Sequence, residues 1–305
     1  MQVFTRKSGI LCGIDEAVAI LRLCADYPER LSIHALYDGD SIEKGVTVLT
    51  IEGDYANFAH LETVYLGVLA RASAVATAVR EVVEAARGRT VFFFPARFDH
   101  YSVQAGDGYA AFIEGAKGVS TDANGAWWSS EGMGTIPHGL IAAYDGDRVR
   151  ATKVFDKIMP EDVRRIGLVD FDNDCVRTSL EVARALGKRL WGVRLDTASD
   201  LWDESVTSKD RDSQGVCPEL VWKVRQALDS EGFYHVKIVI SGGFTVDRIL
   251  HFVDLGVPFD GVGVGSALFR ERMDFTADVV LVNGKPCAKV GRKYKPNKRL
   301  KEVAI

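Results

Sequence analysis

The residue types best suited to chemistry gather around one histidine. His138 stands in the stretch Gly134-Thr135-Ile136-Pro137-His138-Gly139-Leu140, on a Pro-Gly corner reached through a Gly- and Ser-rich approach. An imidazole exchanges protons near neutral pH and offers a nucleophilic nitrogen, so such a residue can serve as acid, base or group acceptor. The apolar run Leu140 to Tyr144 that follows reads as a buried strand. Loops at strand ends carry reactive groups because the scaffold behind them is rigid. His34, His60, His100, His235 and His251 have no comparable setting, and no Ser-His-Asp order, nucleophile elbow or H-E-x-x-H motif is present.

Five more fragments carry chemistry. Arg194 and Asp196, in Gly192-Val193-Arg194-Leu195-Asp196, lie two apart on a strand and so point to one side. A guanidinium fork and a carboxylate there suit an anion and a ribose hydroxyl, or form a structural ion pair. Asp170 and Asp172 repeat the spacing after an earlier strand, as ligands for ribose hydroxyls or a divalent metal, or as solvated loop acids. No residue set is assigned as a metal centre. Ser241-Gly242-Gly243 and Gly261-Val262-Gly263-Val264-Gly265-Ser266 follow consecutive strands. Glycines there are tight turns or let backbone N–H groups cradle a phosphate. Phe94 and Arg97 combine an aromatic face with a cation, fit for a flat anionic ring.

The elements that must position these residues follow from hydrophobic periodicity. Met1 to Leu11 reads as an edge strand, Ile14 to Cys24 as a helix, Leu31 to Tyr37 and Val46 to Ile51 as strands, and Asn57 to Ala86 as a long helix. From Thr90 short apolar runs alternate with helical patterns. The runs are Val91–Phe94, Leu140–Tyr144, Gly167–Phe171, Leu190–Leu195, Val236–Ile240 and Gly261–Val264. The helices are Tyr109–Glu114, Cys175–Leu186, Pro218–Ser230 and Val246–Leu255. Buried strands alternating with helices indicate a parallel β/α barrel, whose site collects at the C-terminal strand ends. Ala277–Val282 and Lys285–Val290 flank Asn283-Gly284, the signature of a hairpin, and this tail is expected to rejoin the N-terminal part. The expected domains are 1–90 with 275–305, and 91–274.

Composition narrows the function classes. With 47% hydrophobic and 26% charged residues the chain has ordinary globular usage. A net charge of −4 gives no electrostatic case for nucleic acid or an anionic membrane. The basic tail Gly291 to Arg299 reads as a solvated surface or, alternatively, a phosphate-facing segment. Five cysteines without a C-x-x-C argue against a disulfide framework and fit a reducing cytoplasm. The first residues read as no signal peptide, and no apolar stretch is long enough to span a bilayer.

Taken in order, Phe94-Pro95-Ala96-Arg97, Gly134-Thr135-Ile136-Pro137-His138, Gly192 to Asp196, Ser241-Gly242-Gly243, Gly263 to Ser266 and Gly284-Lys285-Pro286 with Gly291-Arg292-Lys293 resemble the nicotinate phosphoribosyltransferases, within the type II phosphoribosyltransferases. The resemblance implies an irregular parallel α/β barrel with an N-terminal α/β sandwich domain completed by the C-terminal tail. It implies transfer of phosphoribose from 5-phosphoribosyl-1-pyrophosphate to nicotinate in NAD biosynthesis, with Mg²⁺, ATP and a homodimer or larger homo-oligomer sharing sites between subunits. His138 matches a histidine phosphorylated by ATP, and Asp196 a ribose-side acid that completes the catalytic pair. Phe94, Arg97, Thr135, Arg194 and Asp170 fall on the substrate side. Gly242, Gly243, Gly263, Gly265 and Ser266 match the 5′-phosphate loops. Two departures concern the base: the family's ring-stacking tyrosine belongs to a segment before the position matching Met1, and Phe-Pro-Ala-Arg replaces the usual Phe-Gly-Leu-Arg. Alternative expectations are nicotinamide or quinolinate as the base, or a non-catalytic phosphoribosyl-binding homologue. The Lys-Asp-Asn-His and Glu-x-Glu signatures of quinolinate enzymes are absent.

Overall fold

In the computed structural model, residues 1–133 and 135–303 are described. Gly134, which opens the histidine motif, and Ala304 and Ile305 of the expected C-terminal part lie outside the described residues. The chain runs β1 (Gln2–Thr5), β2 (Gly9–Ile10), α1 (Ile14–Cys24), β3 (Ser32–Ala35), β4 (Ser41–Ile42), β5 (Thr47–Glu52), α2 (Tyr55–Phe58) and α3 (Glu62–Ala85). Then come β6 (Thr90–Phe93), α4 (Gln104–Ile113), β7 (Gly118–Val119), α5 (Asp122–Gly125), α6 (His138–Ala143), α7 (Arg148–Ile158) and β8 (Arg165–Leu168). It continues through α8 (Cys175–Leu186), β9 (Leu190–Leu195), α9 (Pro218–Ser230), β10 (Lys237–Ile240), α10 (Val246–Asp254) and β11 (Gly261–Val264). The tail carries β12 (Phe275–Asp278), β13 (Leu281–Val282), β14 (Lys285–Pro286) and β15 (Lys301–Glu302).

Two compact units result. The first comprises Met1–Arg80, Gly106–Gly115 and the chain from Leu268 onward. The second comprises Glu81–Ala105 and Ala116–Ala267.

The first unit is built on an antiparallel sheet of order β12-β1-β5-β3-β15. The C-terminal tail thus supplies both its edges, and β1 is internal, between β12 and β5. The expected edge strand at Met1 to Leu11 is corrected here: local alternation cannot reveal a partner contributed from 270 residues away. Apolar side chains of α1 and α3, among them Ile14, Val18, Leu21, Tyr65 and Leu69, close one core with Val3, Ile33, Leu49 and Ile51 of the strands. Burying each such side chain contributes roughly 1.5–3 kcal/mol. Asn283 and Gly284 join β13 to β14 with φ of 50° and 73°, the paired positive angles of a two-residue hairpin turn.

The second unit is a curled parallel sheet of order β7-β6-β11-β10-β9-β8. The order is that of a barrel interrupted between β7 and β8, and α5, α6 and α7 occupy the connection between those strands. Helices α8 and α9 begin and end where sequence signals place them. Asp174 caps α8 by accepting the Arg177 N–H, and Gly187, at φ 55°, follows its last residue. Pro218 opens α9 where its missing N–H costs nothing. One expected strand is wrong. Leu140 to Tyr144 belongs mostly to a short helix, α6, whose Ile141 packs with Ile136, Ala151 and Leu168.

Candidate active site

Strand register decides which distant residues meet. Leu168 and Val239 both pair with Arg194, and Val239 also pairs with Gly261. In-register residues of parallel strands share a face, as do residues two further along each strand. Asp170, Asp196, Ser241 and Gly263 therefore form the next row at the C-terminal ends. Gly263 pairs with Phe92, which extends the row to β6. The opposite face is covered by helix: a Cβ on Gly167 would lie 3.0 Å from Val182 of α8.

His138 meets this row from α6. It is the first helical residue, after Pro137, and buried Ile136 and Ile141 anchor the chain on either side of it. Its Nε2 lies 3.0 Å from Asp170 Oδ2. The imidazole is half exposed, whereas the Asp170 side chain is 5% exposed. Burial pushes the Asp170 carboxyl above the ordinary range; His138 draws it back and Asp196 adds to the rise. Asp170 Oδ1 has no protein partner. With the carboxylate holding Nε2, Nδ1 has no hydrogen-bond partner among the described residues.

Beside this pair, Arg194 Nη1 donates to Thr135 Oγ1 at 2.8 Å. Its Nη2 lies 3.5 Å from Asp196 Oδ2, and its buried Nε has no partner. Asp196 Oδ1 accepts the Ser241 hydroxyl at 2.6 Å. Arg194 and Asp196 pair with each other, and the guanidinium keeps an unused donor. Ser241 has no role assigned from the sequence; it stood inside a glycine motif, where its hydroxyl was hidden by its neighbours.

His138, Asp170 and Asp196 each offer a ligand atom, and these atoms lie within 4.8 Å of one another. The sequence offered Asp170 as a possible divalent-metal ligand without assigning a metal centre, and the structure sets His138 and Asp196 beside it. The grouping arises because a helix N-terminus and two strand ends converge, which spacing alone does not show. The two carboxylates suit a hard divalent cation such as Mg²⁺ or Mn²⁺, and the unpartnered Asp170 oxygen is consistent with one. Asp172 goes elsewhere. It lies in the turn past the end of β8 and pairs with Arg148 at 2.6 Å and Arg177 at 3.0 Å.

The glycines divide into two kinds. Gly242 and Gly243 adopt φ of 89° and 76°, a turn open to few other residues. Gly261, Gly263 and Gly265 instead lie under aromatic rings. A Cβ on each would fall within 3.0 Å of Phe92, Phe94 and Phe98 respectively. Phe94 also stacks on Phe92, with centroids 5.8 Å apart. Arg97 is exposed, its guanidinium 5.1 Å from the Phe98 ring centroid, and Ser266 is exposed at the start of a short 3-10 turn. The structure thus brings His138, Asp170, Asp196, Arg194 and Thr135 together, sets Arg97 and Gly265 beside Phe98, and lays the Phe94 ring over Gly263.

A parallel α/β sheet with its polar groups collected at the C-terminal strand ends defines an enzyme-like ligand site of the barrel type. Residues 1–73 match the family described as quinolinate phosphoribosyl transferase, N-terminal domain. A nicotinate-nucleotide pyrophosphorylase from Pyrococcus furiosus is 34% identical, with a TM-score of 0.83 over 99% of this chain and 76% of that one. The chain therefore belongs to the type II phosphoribosyltransferases. It is also 29% identical over 211 residues to nicotinate phosphoribosyltransferase pncB2 of Mycobacterium tuberculosis, covering 68% of this chain. It spans 42% of the length of that relative. Human nicotinic acid phosphoribosyltransferase shares the fold, with a TM-score of 0.73 at 17% identity over 94% of this chain and 71% of that one.

Proposed function

We propose that this chain transfers phosphoribose from 5-phosphoribosyl-1-pyrophosphate to nicotinate, giving nicotinate mononucleotide and pyrophosphate in NAD biosynthesis. The observation that carries the reading is the His138–Asp170–Asp196 group beside the Arg194–Thr135 pair, on one row of strand ends in a chain of this family. The pyridine nitrogen attacks C1 of the ribose as the bond from C1 to pyrophosphate breaks. Cationic character at C1 is favoured by the Asp196 carboxylate, which Ser241 and Arg194 hold in place. The Arg194 fork and the Thr135 hydroxyl fit the carboxylate of the base. The Gly242-Gly243 turn fits the 5′-phosphate. Asp170 and Asp196 would hold Mg²⁺, which would neutralise charge on the departing pyrophosphate.

ATP coupling enters through His138. Asp170 keeps Nε2 in place, so Nδ1 is the nitrogen free to attack the γ-phosphorus of ATP and displace ADP. The same carboxylate would stabilise the ring as it gains positive character. Among the described residues no helix is long and apolar enough to cross a membrane. Five free cysteines accord with a cytoplasmic setting and a homo-oligomer is proposed by family.

A second reading, quinolinate as the base, is favoured by the match of residues 1–73. Incubation with γ-labelled ATP should place an acid-labile, base-stable label on the wild type and none on His138→Ala, which should retain slow ATP-independent transfer. A wild type that never takes label and turns over equally with and without ATP rules out the phosphohistidine. Pyrophosphate release across nicotinate, nicotinamide and quinolinate decides the base. Release with none of them leaves a binding homologue.

A further inference from the structure

We propose that Arg248 is the cation on which phosphate binding at the Gly242-Gly243 turn depends, acting through the Gly242 peptide; this rests on the phosphoribosyl reading above. Arg248 lies in the first turn of α10. Its Nη1 donates to the Gly242 carbonyl at 3.1 Å and its Nη2 to the Val216 carbonyl at 2.7 Å. The guanidinium lies over the buried rings of Phe244 and Phe252, at 4.5 and 5.9 Å from their centroids. Among the described residues no carboxylate comes within 4 Å of it. Arg148, Arg165, Arg194 and Arg225 of the same unit each have one. Burial pushes the Arg248 guanidinium below its usual range. A cation kept in such a place without an acid is costly unless an anion completes it.

The geometry shows how the charge reaches the anion. In a trans peptide the carbonyl and the following N–H point in opposite directions. With the Gly242 carbonyl held by Arg248, the Gly243 N–H points away from the guanidinium. No backbone or side-chain acceptor among the described residues takes that N–H, and a Cβ on Gly243 would meet no atom within 4 Å, so the turn itself is uncrowded. Gly242 itself is confined, its Cβ position 3.1 Å from the Thr197 carbonyl. The turn is thus held at the Gly242 carbonyl, and the Gly243 N–H is unpaired and polarised from behind by a charged donor. A phosphomonoester is the ligand such a donor suits. Arg248 is a positioning residue here, since it touches the carbonyl and not the phosphate.

The test is calorimetric titration of ribose 5-phosphate into wild type, Arg248→Met and Arg248→Lys, with KM for donor and base measured alongside. Arg248→Met should weaken ribose 5-phosphate by about tenfold or more, the scale of a charged hydrogen bond. KM for the donor should rise while KM for the base stays unchanged. A folded Arg248→Met that binds ribose 5-phosphate as well as wild type overturns the proposal and leaves the phosphoribosyl reading standing. A wild type that does not bind ribose 5-phosphate overturns that reading itself. Should Arg248→Met fail to fold, Arg248→Lys decides. It keeps the charge but cannot span both carbonyls, so a several-fold loss confined to the phosphate ligand supports the proposal, and unchanged affinity overturns it.

Discussion

The antiparallel sheet β12-β1-β5-β3-β15 and the parallel sheet β7-β6-β11-β10-β9-β8 distribute their strand ends differently. In the first, neighbouring strands finish at opposite edges. In the second, every strand finishes at the same edge. Asp170, Asp196, Ser241 and Gly263, spread over more than ninety residues of sequence, thereby share one row, and α6 adds His138. The antiparallel unit also buries polar groups, but it uses them against its own chain. Asp107, 3% exposed, receives two hydrogen bonds from Arg71, at 2.7 and 2.8 Å. Asp38 caps a helix. A buried polar group that is paired specifies structure, whereas one with an unused donor or acceptor at a strand-end row is poised for a ligand.

Asp196→Asn should produce the largest break in that contrast. Asn keeps an acceptor for Ser241 and loses the charge facing the ribose. We expect kcat to fall by roughly 10²–10³-fold, the usual loss for one aimed electrostatic group, with the melting temperature nearly unchanged. Asp107→Asn should do the reverse, lowering the melting temperature by weakening a buried pair while kcat of the folded protein holds. If both variants lose only stability, the strand-end row is structural and the comparison fails.

Arg194→Lys should have the next largest effect. Lysine keeps the charge and loses the fork, which serves Thr135 and Asp196 and leaves Nε as an unused donor. Weakening of the base by about 1.5–3 kcal/mol is expected, read as a higher KM for nicotinate with kcat little altered. An unaltered KM for the base would mean that Arg194 serves only its internal pair.

Much of this was legible from local signals. The helices at Ile14–Cys24, Cys175–Leu186 and Pro218–Ser230, and the strands at Leu190–Leu195 and Gly261–Val264, have the expected bounds because caps, prolines and apolar runs are local. Leu140 to Tyr144 was misread because a five-residue apolar run fits a buried helix turn as well as a strand. Asp170 and Asp172 share the i, i+2 spacing, but the last bond from this segment to β9, Val169 N–H to the Arg194 carbonyl, comes before Asp172, which lies in the turn beyond and pairs with Arg148. The glycines of β11 signalled a phosphate loop, and their visible occupants are phenylalanine rings from the β6 end. Arg248 carried no signal, since its partners are backbone carbonyls that any sequence supplies.

The smallest expected effect sharpens the other side of the comparison, where a polar group supports the fold at a cost set by pH. Helix α1 starts at Gly13, at φ 91°, which has no side chain to cap it. Asp38, in the turn after β3, supplies the acceptor and takes the Ile14 N–H at 2.7 Å. Its second oxygen is buried without a partner. Burial raises the carboxyl from 3.8 to about 6; Asp15 adds to the rise, and the N–H groups of Ile14, Asp15 and Gly13 oppose it. Between those values the folded chain holds a proton that the unfolded chain has lost. The Asp38 contribution to stability is therefore complete below about 3.8 and is lost as pH rises through about 6. Asp38→Asn keeps the acceptor and cannot ionise. The two proteins should have similar stability at the acid end. Above about 6 the variant should be the more stable, by on the order of 1–2 kcal/mol once partial exposure is allowed for. Denaturant midpoints across that range give the difference curve. A curve that stays flat from end to end would show that Asp38 is charged throughout and that the cap is an ordinary solvated carboxylate. Activity should follow neither variant nor pH through this residue, because Asp38 belongs to the sheet whose strand ends are dispersed.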